Sequence, residues 1–432
     1  MSSSLIFRHA LLPTGWAAHV RLVIENGVIA GIIPGQSGGT GIALPGMPNL
    51  HSHIFQRAMS GLTEQRGPSA DSFWTWRDLM YRFANALTPD DLEAIALHGF
   101  IEMLERGFTS TAEFHYLHNA PDGTPYANQA EMSARLAFAA EQAGIGLLLL
   151  PVFYANGGFG GQPPGPAQRR FVTSLEAYAK LVEACTNLAP TGIAPHSLRA
   201  VTPQDLTQLA TLAGTRPVHI HIAEQTAEVD ACLAWSGQRP VEYLLDHAPV
   251  SPSWCLVHAT HITAPEAAGI AARGAVAGLC PLTEANLGDG IFPAQNFTGQ
   301  FGIGSDSNIL INPFAELQML EYSQRLAQRA RNVMATQAHP ATATALWSRA
   351  SCGGAGALGL TPGLQLGAPA NITVLHDAPA PDIALTQAVF SVDANPVAQV
   401  WVNGTQRTQN GEHPLARTAR VRFEQVVRTL LR

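Results

Sequence analysis

Residues 42–53 form an apolar run that ends in two histidines, with the sequence Ile42-Ala43-Leu44-Pro45-Gly46-Met47-Pro48-Asn49-Leu50-His51-Ser52-His53. A continuous apolar run such as Ile42–Leu50 is typical of a parallel strand that is buried on both faces. Side chains at positions i and i+2 of a strand face the same side, so His51 and His53 can point together at one ion. The stretch therefore predicts a buried strand with two candidate metal ligands at its carboxyl end.

Seven further apolar runs follow this one, and helix-like sequence separates them. The runs are Phe108–Phe114, Ile145–Tyr154, Gly192–Ser197, Val218–Ala223, Trp254–Ala259, Ala275–Leu282 and Phe301–Asp306. Strand–helix alternation repeated eight times is typical of an α/β fold of the TIM type, the (β/α)8 barrel. We therefore predict a barrel whose active site lies at the carboxyl ends of the strands.

Four of the intervening segments begin with a helix-capping signal. Three have proline directly after Thr or Asn, and one has glutamate three residues after Thr. The signals are Thr88-Pro89, Thr202-Pro203, Asn312-Pro313 and Thr263 with Glu266. The first two helices are predicted to end at Arg106 and near Gly214, where glycine stops a helix readily, and the helix from Asn312 is predicted to reach Ala335.

The two flanks of the chain differ from the part between them, because they contain short strand-like segments instead of alternating strands and helices. These segments are Val20–Ile24, Val28–Ile32, Asn371–His376 and Gln399–Asn403. Glu25-Asn26-Gly27 predicts a hairpin turn between the first two. We expect residues 1–45 and 364–432 to form one small β-sandwich-like domain, with the catalytic barrel of residues 46–363 inserted between them. The alternative is two separate decorations on the barrel.

Composition limits the kinds of partner. The chain of 432 residues is 46% hydrophobic and carries a net charge of -7, which argues against disorder and against a nucleic-acid-binding surface. The five cysteines are scattered and form no CxxC pair, so a reducing compartment fits. Ile145–Val152 is far shorter than the roughly 20 apolar residues that cross a bilayer, and no signal-peptide run is visible. We expect a cytoplasmic protein with no membrane partner.

Further polar residues close the later runs. The fifth run ends in His219-Ile220-His221-Ile222-Ala223-Glu224, the sixth in His258 and the eighth in Asp306. Imidazoles with one carboxylate suit zinc and leave a position open for water. A single HxH pair is weak evidence, whereas the ordered set of HxH, HxxE, His and SD at successive strand ends is more specific. The alternative is a set of hydrogen-bonded core histidines with a capping aspartate.

This ordered set resembles the amidohydrolase superfamily, in its mononuclear deaminase branch. Within the branch, five segments are similar to the N-formimino-L-glutamate deiminase family of histidine degradation: Asn49–Glu64, Ala112–Asn119, Ala194–Val201, His219–Asp230 and Leu279–Pro293. The resemblance covers essentially the whole chain. It implies a metal-dependent hydrolase that converts N-formimino-L-glutamate, a small dicarboxylate, to N-formyl-L-glutamate and ammonia.

The resemblance also implies a ligand set, which is His51, His53, His221 and Asp306 around one divalent metal, with zinc as the expected ion. Binuclear members of the superfamily bridge two metals with a carbamylated lysine at the end of the fourth strand. The one lysine of this chain, Lys180, lies before that strand. A lysine-bridged metal pair is therefore not expected.

Three residues receive catalytic roles from the family pattern. The metal would lower the pKa of its water, Asp306 would accept a proton from that water, and His258 would hold the nucleophile and stabilise charge. Glu224 would carry protons to the imine nitrogen, and its alternative is a solvated acid at a helix start. We expect His219 to lie in the barrel interior. His115, His118 and His261 are expected at the surface or behind the site.

Recognition of two carboxylates calls for arginine, whose fork geometry matches them. Arg199, after the fourth strand, is the first candidate, with a surface ion pair as the alternative. Gln56, Tyr116 and His196 also follow strand ends and are predicted to bind substrate. Glu284 and Asn286 are predicted to line the pocket, without an assigned role.

The segment Ile54–Leu87 is too long for a simple loop. It contains Phe73-Trp74-Thr75-Trp76-Arg77, a composition that suits an interface, so we expect a homodimer in which Arg77 reaches the substrate of its own or of the neighbouring subunit. The alternative is a tryptophan-anchored helix that packs on its own barrel.

Two rival functions remain open at this point. One is a mononuclear deaminase of a purine, pyrimidine or related heterocycle, whose ring would favour a stacking pocket with few arginines. The other is a barrel scaffold that has lost its chemistry, and the intact set of candidate ligands argues against it.

Overall fold

A computed structural model describes residues 2–64 and 73–432. Its strands, in chain order, are β1 (Ser2–Leu12), β2 (Gly15–Glu25), β3 (Val28–Ile33), β4 (Ile42–Pro45), β5 (Met47–Ser52), β6 (Phe108–His115), β7 (Gly146–Phe153), β8 (Ala194–Pro195), β9 (Val218–Ile222), β10 (Trp254–His258), β11 (Val276–Leu279), β12 (Gln300–Ile303), β13 (Ile372–Leu375), β14 (Val397–Val402) and β15 (Thr405–Gln409).

The helices alternate with the barrel strands and continue beyond them. They are α1 (Phe73–Ala86), α2 (Pro89–Glu105), α3 (Glu131–Ala143), α4 (Leu175–Thr186), α5 (Pro203–Ala213), α6 (Thr226–Ser236), α7 (Pro240–His247), α8 (Ala264–Arg273), α9 (Pro281–Leu287), α10 (Pro313–Gln328), α11 (Thr342–Ala357), α12 (Pro381–Phe390) and α13 (Ala416–Leu430). In the described ranges no helix has the length and apolar character that a membrane span needs.

Eight parallel strands form the barrel. Two four-stranded sheets, β5-β6-β7-β8 and β9-β10-β11-β12, supply its wall. Parallel bridges Ile193–Val218 and Ser197–His221 join β8 to β9, and the bridge Ser52–Asp306 joins β5 to the chain after β12. The (β/α)8 prediction is therefore confirmed, and the carboxyl ends of the strands meet at one rim.

The first predicted strand is in fact two strands. Ile42–Pro45 is β4 of another sheet, and Gly46 separates it from the barrel strand β5. A Cβ atom at Gly46 would lie 2.4 Å from the side chain of Thr109, so only glycine fits this crossing. The apolar run hides the break because both halves are buried. The run Ala275–Leu282 was likewise predicted too long, since Pro281 already begins α9.

The flanks pair into one mixed sheet of seven strands in the order β15-β14-β13-β4-β1-β2-β3. Asn26 and Gly27 have positive φ angles of 51° and 82°, which fits the predicted hairpin turn between β2 and β3. Phe7, Val20 and Ile372 belong to a small apolar core of this sheet. The division of the chain into residues 46–363 and a domain of 1–45 with 364–432 stays a prediction.

All four predicted helix starts are capped by the predicted side chain, and the predicted capping box at Thr263 is present, as it also is at Thr88 and Thr202. The helix from Asn312 is shorter than predicted, because it ends at Gln328 instead of Ala335. Arg329 adopts a left-handed conformation there with φ 52°, and the chain turns back. Main-chain amides of the returning segment then donate to the buried carboxylate of Glu321.

The long segment after β5 is largely helical where it is described. A short 3-10 helix covers Ile54–Met59 and α1 covers Phe73–Ala86, while residues 65–72 and the side chains of Phe73 and Trp74 lie outside the description. Trp76 is half-buried and packs against the barrel core. The prediction of a helix that packs on its own barrel is thus met for Trp76, and the Trp74 part of it lies outside the described residues.

Candidate active site

Four candidate ligand atoms converge at the rim. His51 Nε2 lies 3.2 Å from His53 Nε2, 3.1 Å from His221 Nε2 and 3.4 Å from Asp306 Oδ1, and His53 Nε2 is also 3.4 Å from Asp306 Oδ1. Tetrahedral zinc with bonds of about 2.0–2.1 Å holds its ligands roughly 3.3–3.4 Å apart. The donor set and its spacing therefore fit one zinc-sized ion.

The outer faces of two imidazoles are held by main-chain oxygens. His53 Nδ1 lies 2.8 Å from the carbonyl oxygen of Phe114, and His221 Nδ1 lies 3.1 Å from that of His196. A carbonyl only accepts, so each Nδ1 carries the hydrogen and each Nε2 presents its lone pair to the centre. Such outer contacts are what fixes the ring orientation in metal sites.

Burial keeps these imidazoles neutral, which is the form that binds metals. It lowers the pKa of His51 to about 3 and also lowers the pKa values of His53 and His221. Burial alone would raise the pKa of Asp306, but its contacts with His51, His258 and His53 hold it well below its ordinary value. The centre thus presents one carboxylate and three neutral rings.

His258 is buried beside the four-ligand centre, between two carboxylates. Its Nε2 lies 3.8 Å from Glu224 Oε1, and its Nδ1 lies 3.4 Å from Glu284 Oε1. Burial opposes the charged ring, yet Glu224, Glu284 and Asp306 raise the pKa of His258 to about 10. Burial raises the pKa of Glu224 to about 7, which suits a group that gives and takes protons near neutral pH.

The backbone at this rim adopts unusual conformations. Ala223, His258 and Asp306 have φ angles of 51°, 67° and 44°, in the left-handed region that non-glycine residues avoid. The carboxylate of Glu228 stabilises the turn after β9 by accepting from the main-chain amides of Ala223 (3.3 Å) and Glu224 (3.1 Å). Glu228 was not predicted, although it lies four residues after Glu224, one helical turn on.

A cleft opens over the centre. All five residues predicted to bind substrate line it, and they are Gln56, Arg77, Tyr116, His196 and Arg199. Six lining residues were not predicted, namely Trp76, Met80, Tyr81, Tyr154, Phe171 and Leu287. Tyr154 closes the third run, so the strand-end rule could have found it. Phe171 lies in an irregular segment that carries no sequence signal.

Side chains that line the cleft make hydrogen bonds with their neighbours. Gln56 Nε2 donates to the hydroxyl of Tyr116 over 2.9 Å. Among the described residues, Gln56 Oε1 and Arg199 Nε are buried without a hydrogen-bond partner, which is costly unless something else binds them. Burial also raises the pKa of Tyr116 well above its ordinary value, so its hydroxyl stays neutral. His196 Nδ1 contacts Ser197 Oγ at 3.1 Å.

The remaining histidines lie away from the four-ligand centre. His219 is buried in the barrel and contacts the carbonyl oxygen of Ala357 at 2.8 Å, as its predicted interior position requires. Of the two predicted positions, surface or behind the site, His115 and His118 do not take the first, because both are buried, and the main-chain amide of His118 donates to the carbonyl oxygen of Arg170. His261 is half-buried and contacts the carbonyl oxygen of Asp289.

Glu284 and Asn286 have separate positions. Glu284 lies behind His258 and also accepts from the amide of Cys280, so it orients the histidine rather than lining the cleft. Asn286 donates to Glu64 over 2.7 Å in a small neighbouring cavity. The prediction that Glu284 and Asn286 line the pocket is therefore wrong for the main cleft, which is lined in this region by Leu287.

Comparison with known proteins places the chain among enzymes. Residues 42–407 match the model of the amidohydrolase family, and residues 4–41 match the model described as formimidoylglutamate deiminase HutF, N-terminal domain. Formimidoylglutamate deiminase of Pseudomonas aeruginosa is 47% identical, over 99% of this chain and 100% of its own.

Solved structures agree with this placement. An amidohydrolase from Brucella melitensis superposes with a TM-score of 0.96 at 49% identity, covering 99% of this chain and 100% of its own. A zinc-bound adenosine deaminase from Xanthomonas campestris shares the fold, with a TM-score of 0.79 at 20% identity, over 99% of this chain and 98% of its own. The chain belongs to the amidohydrolase family.

Proposed function

We propose that this enzyme hydrolyses N-formimino-L-glutamate to N-formyl-L-glutamate and ammonia. The observation that carries the proposal is one cleft with a four-ligand centre at its base and two arginines, Arg77 and Arg199, in its wall. The full-length similarity to a formimidoylglutamate deiminase supports the same substrate. The amidine-like group would lie at the base and the carboxylates at the arginines.

Three histidines and one aspartate would hold the metal: His51, His53, His221 and Asp306. When bound, zinc supplies Lewis-acid chemistry and lowers the pKa of water to near neutrality. We infer one such ion per chain, because the four donors fit one ion and the chain has no lysine at the end of the fourth strand.

The protein groups would move the protons of the reaction. The oxygen of water bonds to the imine carbon while Asp306 accepts a proton, and the electron pair of the C=N bond passes to nitrogen. That nitrogen takes a first proton from Glu224. The hydroxyl proton on the tetrahedral carbon then passes through the Glu224 carboxylate to the same nitrogen, the C–N bond breaks as the oxygen forms the formyl C=O bond, and ammonia leaves. The proton held by Asp306 returns to Glu224. His258 stabilises the negative charge that develops on oxygen, since Glu224 and Glu284 favour its protonated form.

The substrate carboxylates would be bound by side chains that can donate hydrogen bonds. Arg199 has a buried Nε atom without a hydrogen-bond partner among the described residues, and this atom is available to a carboxylate. Tyr116 accepts from Gln56 and donates to Met80 Sδ over 3.7 Å, a weak contact that a substrate carboxylate would replace. Gln56 Oε1 can accept from an N–H of the substrate. Such matched donors and acceptors reject analogues that lack the partner group.

We also propose a cytoplasmic homodimer. The scattered cysteines, all free among the described residues, fit a reducing compartment. Arg77 and the half-buried Trp76 line the cleft, and a second subunit that packs on α1 would lie beside them. Light scattering on the purified protein measures the assembly, and twice the mass of 45.9 kDa is expected.

Ammonia release from a substrate panel tests the proposed function. N-Formimino-L-glutamate is offered beside adenosine, guanine, 8-oxoguanine and cytosine at equal concentrations. The expected result is turnover of N-formimino-L-glutamate with kcat/KM above the heterocycles by about 10³-fold or more, because no ring satisfies two arginines. Preference for a heterocycle would overturn the proposal and favour the deaminase alternative.

A further inference from the structure

Arg170 is one of the largest side chains that are fully buried in the described part of the chain. Its guanidinium donates to the main-chain oxygens of Asn119 (2.8 Å), Leu87 (2.8 Å) and Ala84, and to the hydroxyl of Tyr126 (3.3 Å). These acceptors are all neutral oxygens. A buried charge is costly unless dipoles compensate it, so these contacts are essential to this arrangement.

Contacts of Arg170 lie at the carboxyl end of one helix, α1. Ala84 and Leu87 lie at the carboxyl end of α1, where the last carbonyl groups lack partners within the helix and carry partial negative charge. The guanidinium therefore acts as a buried cap of α1. Asn85 adds a second connection to the same segment, because its Nδ2 donates to the carbonyl oxygen of Ala167 over 3.0 Å.

The helix that Arg170 caps is a wall of the substrate cleft. Trp76, Arg77, Met80 and Tyr81 all belong to α1 and all line the cleft. Their spacing of i, i+1, i+4 and i+5 corresponds to one face of a helix. A displaced carboxyl end would therefore move the whole face, including the guanidinium of Arg77.

The segment around Arg170 also contacts other residues that line the cleft. Gln168 donates from Nε2 to the hydroxyl of Tyr154, and the ring of Phe171 lies 4.8 Å from that of Tyr116. Tyr154, Phe171 and Tyr116 line the cleft. Residues 167–171 thus connect the carboxyl end of α1 to other side chains that line the cleft.

We propose that Arg170 is a positioning residue that holds α1 so that Arg77 reaches the substrate. The inference rests on the proposed function for the identity of that substrate. Because Arg170 does not touch the cleft, its loss should weaken substrate binding through α1 and leave the proton-transfer groups in place.

Hydrogen exchange of the amides of α1 tests the inference without any substrate. Arg170→Met is compared with Arg169→Met, a matched control because Arg169 is the exposed neighbour. Exchange within residues 75–86 should become about tenfold faster or more in Arg170→Met and stay unchanged in the control. Unchanged exchange in Arg170→Met would overturn the proposal. If this variant does not fold, Tyr126→Phe removes one contact and should give the same change in smaller degree.

Kinetics of a double-mutant cycle provide the second test. In Arg170→Met, KM for N-formimino-L-glutamate should rise about tenfold or more while kcat stays within about threefold. With Arg77→Met already in place, Arg170→Met should add little, because its effect passes through that residue's helix. Fully additive losses, or an equal fall in kcat, would overturn the proposal. If the wild type released no ammonia from this substrate, the proposed function would fail, and hydrogen exchange would still decide the role of Arg170.

Discussion

The Nε2 atom of His258 lies 3.8 Å from Oε1 of Glu224, and both side chains are buried at the base of the cleft. Behind the histidine, Glu284 contacts Nδ1 at 3.4 Å. Glu284 therefore holds the ring of His258 from one side, and the carboxyl group of Glu224 faces the ring on the other side. Burial raises the pKa of Glu224 to about 7. A group with a pKa near the working pH can both donate and accept a proton, and the following prediction depends on this.

Glu224→Gln should keep the metal and lose turnover. The amide preserves the shape of the side chain but cannot carry a proton, so kcat should fall by roughly 10²-fold or more. Metal content and kcat are measured on the same preparation. Asp230→Asn is the control, since this exposed acid lies on α6, the helix that follows Glu224. Wild-type turnover in Glu224→Gln would assign the proton transfer to another residue.

Protein purified without chelator should contain about one divalent ion per chain, with zinc expected. His221→Ala removes one of four donors and should lose metal and activity together, whereas His219→Ala should keep the metal, because His219 contacts a main-chain oxygen in the barrel. Elemental analysis measures both. Two tightly bound ions per chain, or full activity in the metal-free protein, would contradict the mononuclear centre.

The buried carboxyl group of Glu113 should make the free energy of unfolding depend on pH. It is buried and accepts from the amide of Ile54 over 2.7 Å, and burial raises its pKa from 4.5 to about 8. The folded state then binds more protons than the unfolded state between these pH values, so the free energy of unfolding falls as pH rises through that window. Glu113→Gln removes this effect.

Urea unfolding at pH 5 and pH 8 measures the difference. The stability of Glu113→Gln relative to wild type should increase from the lower to the higher pH, and the exposed control Glu183→Gln should show no such increase. A relative stability that stays constant or falls over this range would show that Glu113 is ionised in the folded protein.

Most residues of the site could be predicted because they lie at the carboxyl ends of predicted strands. His51, His53, His221, His258 and Asp306 each follow an apolar run, and parallel strands of a closed barrel bring such positions to one rim. For the same reason the predicted Arg199 and Tyr116 lie in the cleft. These positions follow from topology, so no side-chain detail was needed to place them together.

Other features depend on contacts between segments far apart in sequence. The split of Ile42–Leu50 at Gly46 follows from the approach of Thr109, and the early end of α10 follows from amides that return to Glu321. Phe171 enters the cleft through an irregular segment. Apolar patterns and capping signals carry no information on such contacts, so these features were not predicted.

Arg199 is expected to bind a substrate carboxylate. Arg199→Met should lower kcat/KM by about 10²-fold or more, because a charge-assisted bond to a buried group is lost, while the metal stays bound. The loss should shrink for formiminoglycine or formimino-β-alanine if the missing carboxylate is the one that Arg199 binds. Measuring both proteins on both substrates gives the coupling energy. A coupling energy near zero for each carboxylate would show that Arg199 does not recognise the substrate.

The identity of the products of N-formimino-L-glutamate tests the central claim most directly. The wild-type enzyme is incubated with this substrate, and the mixture is analysed by proton NMR together with an ammonia assay. Cleavage at the imine nitrogen predicts N-formyl-L-glutamate and ammonia in equal amounts. Formation of L-glutamate and formamide, or no conversion by the metal-loaded enzyme, would contradict the account.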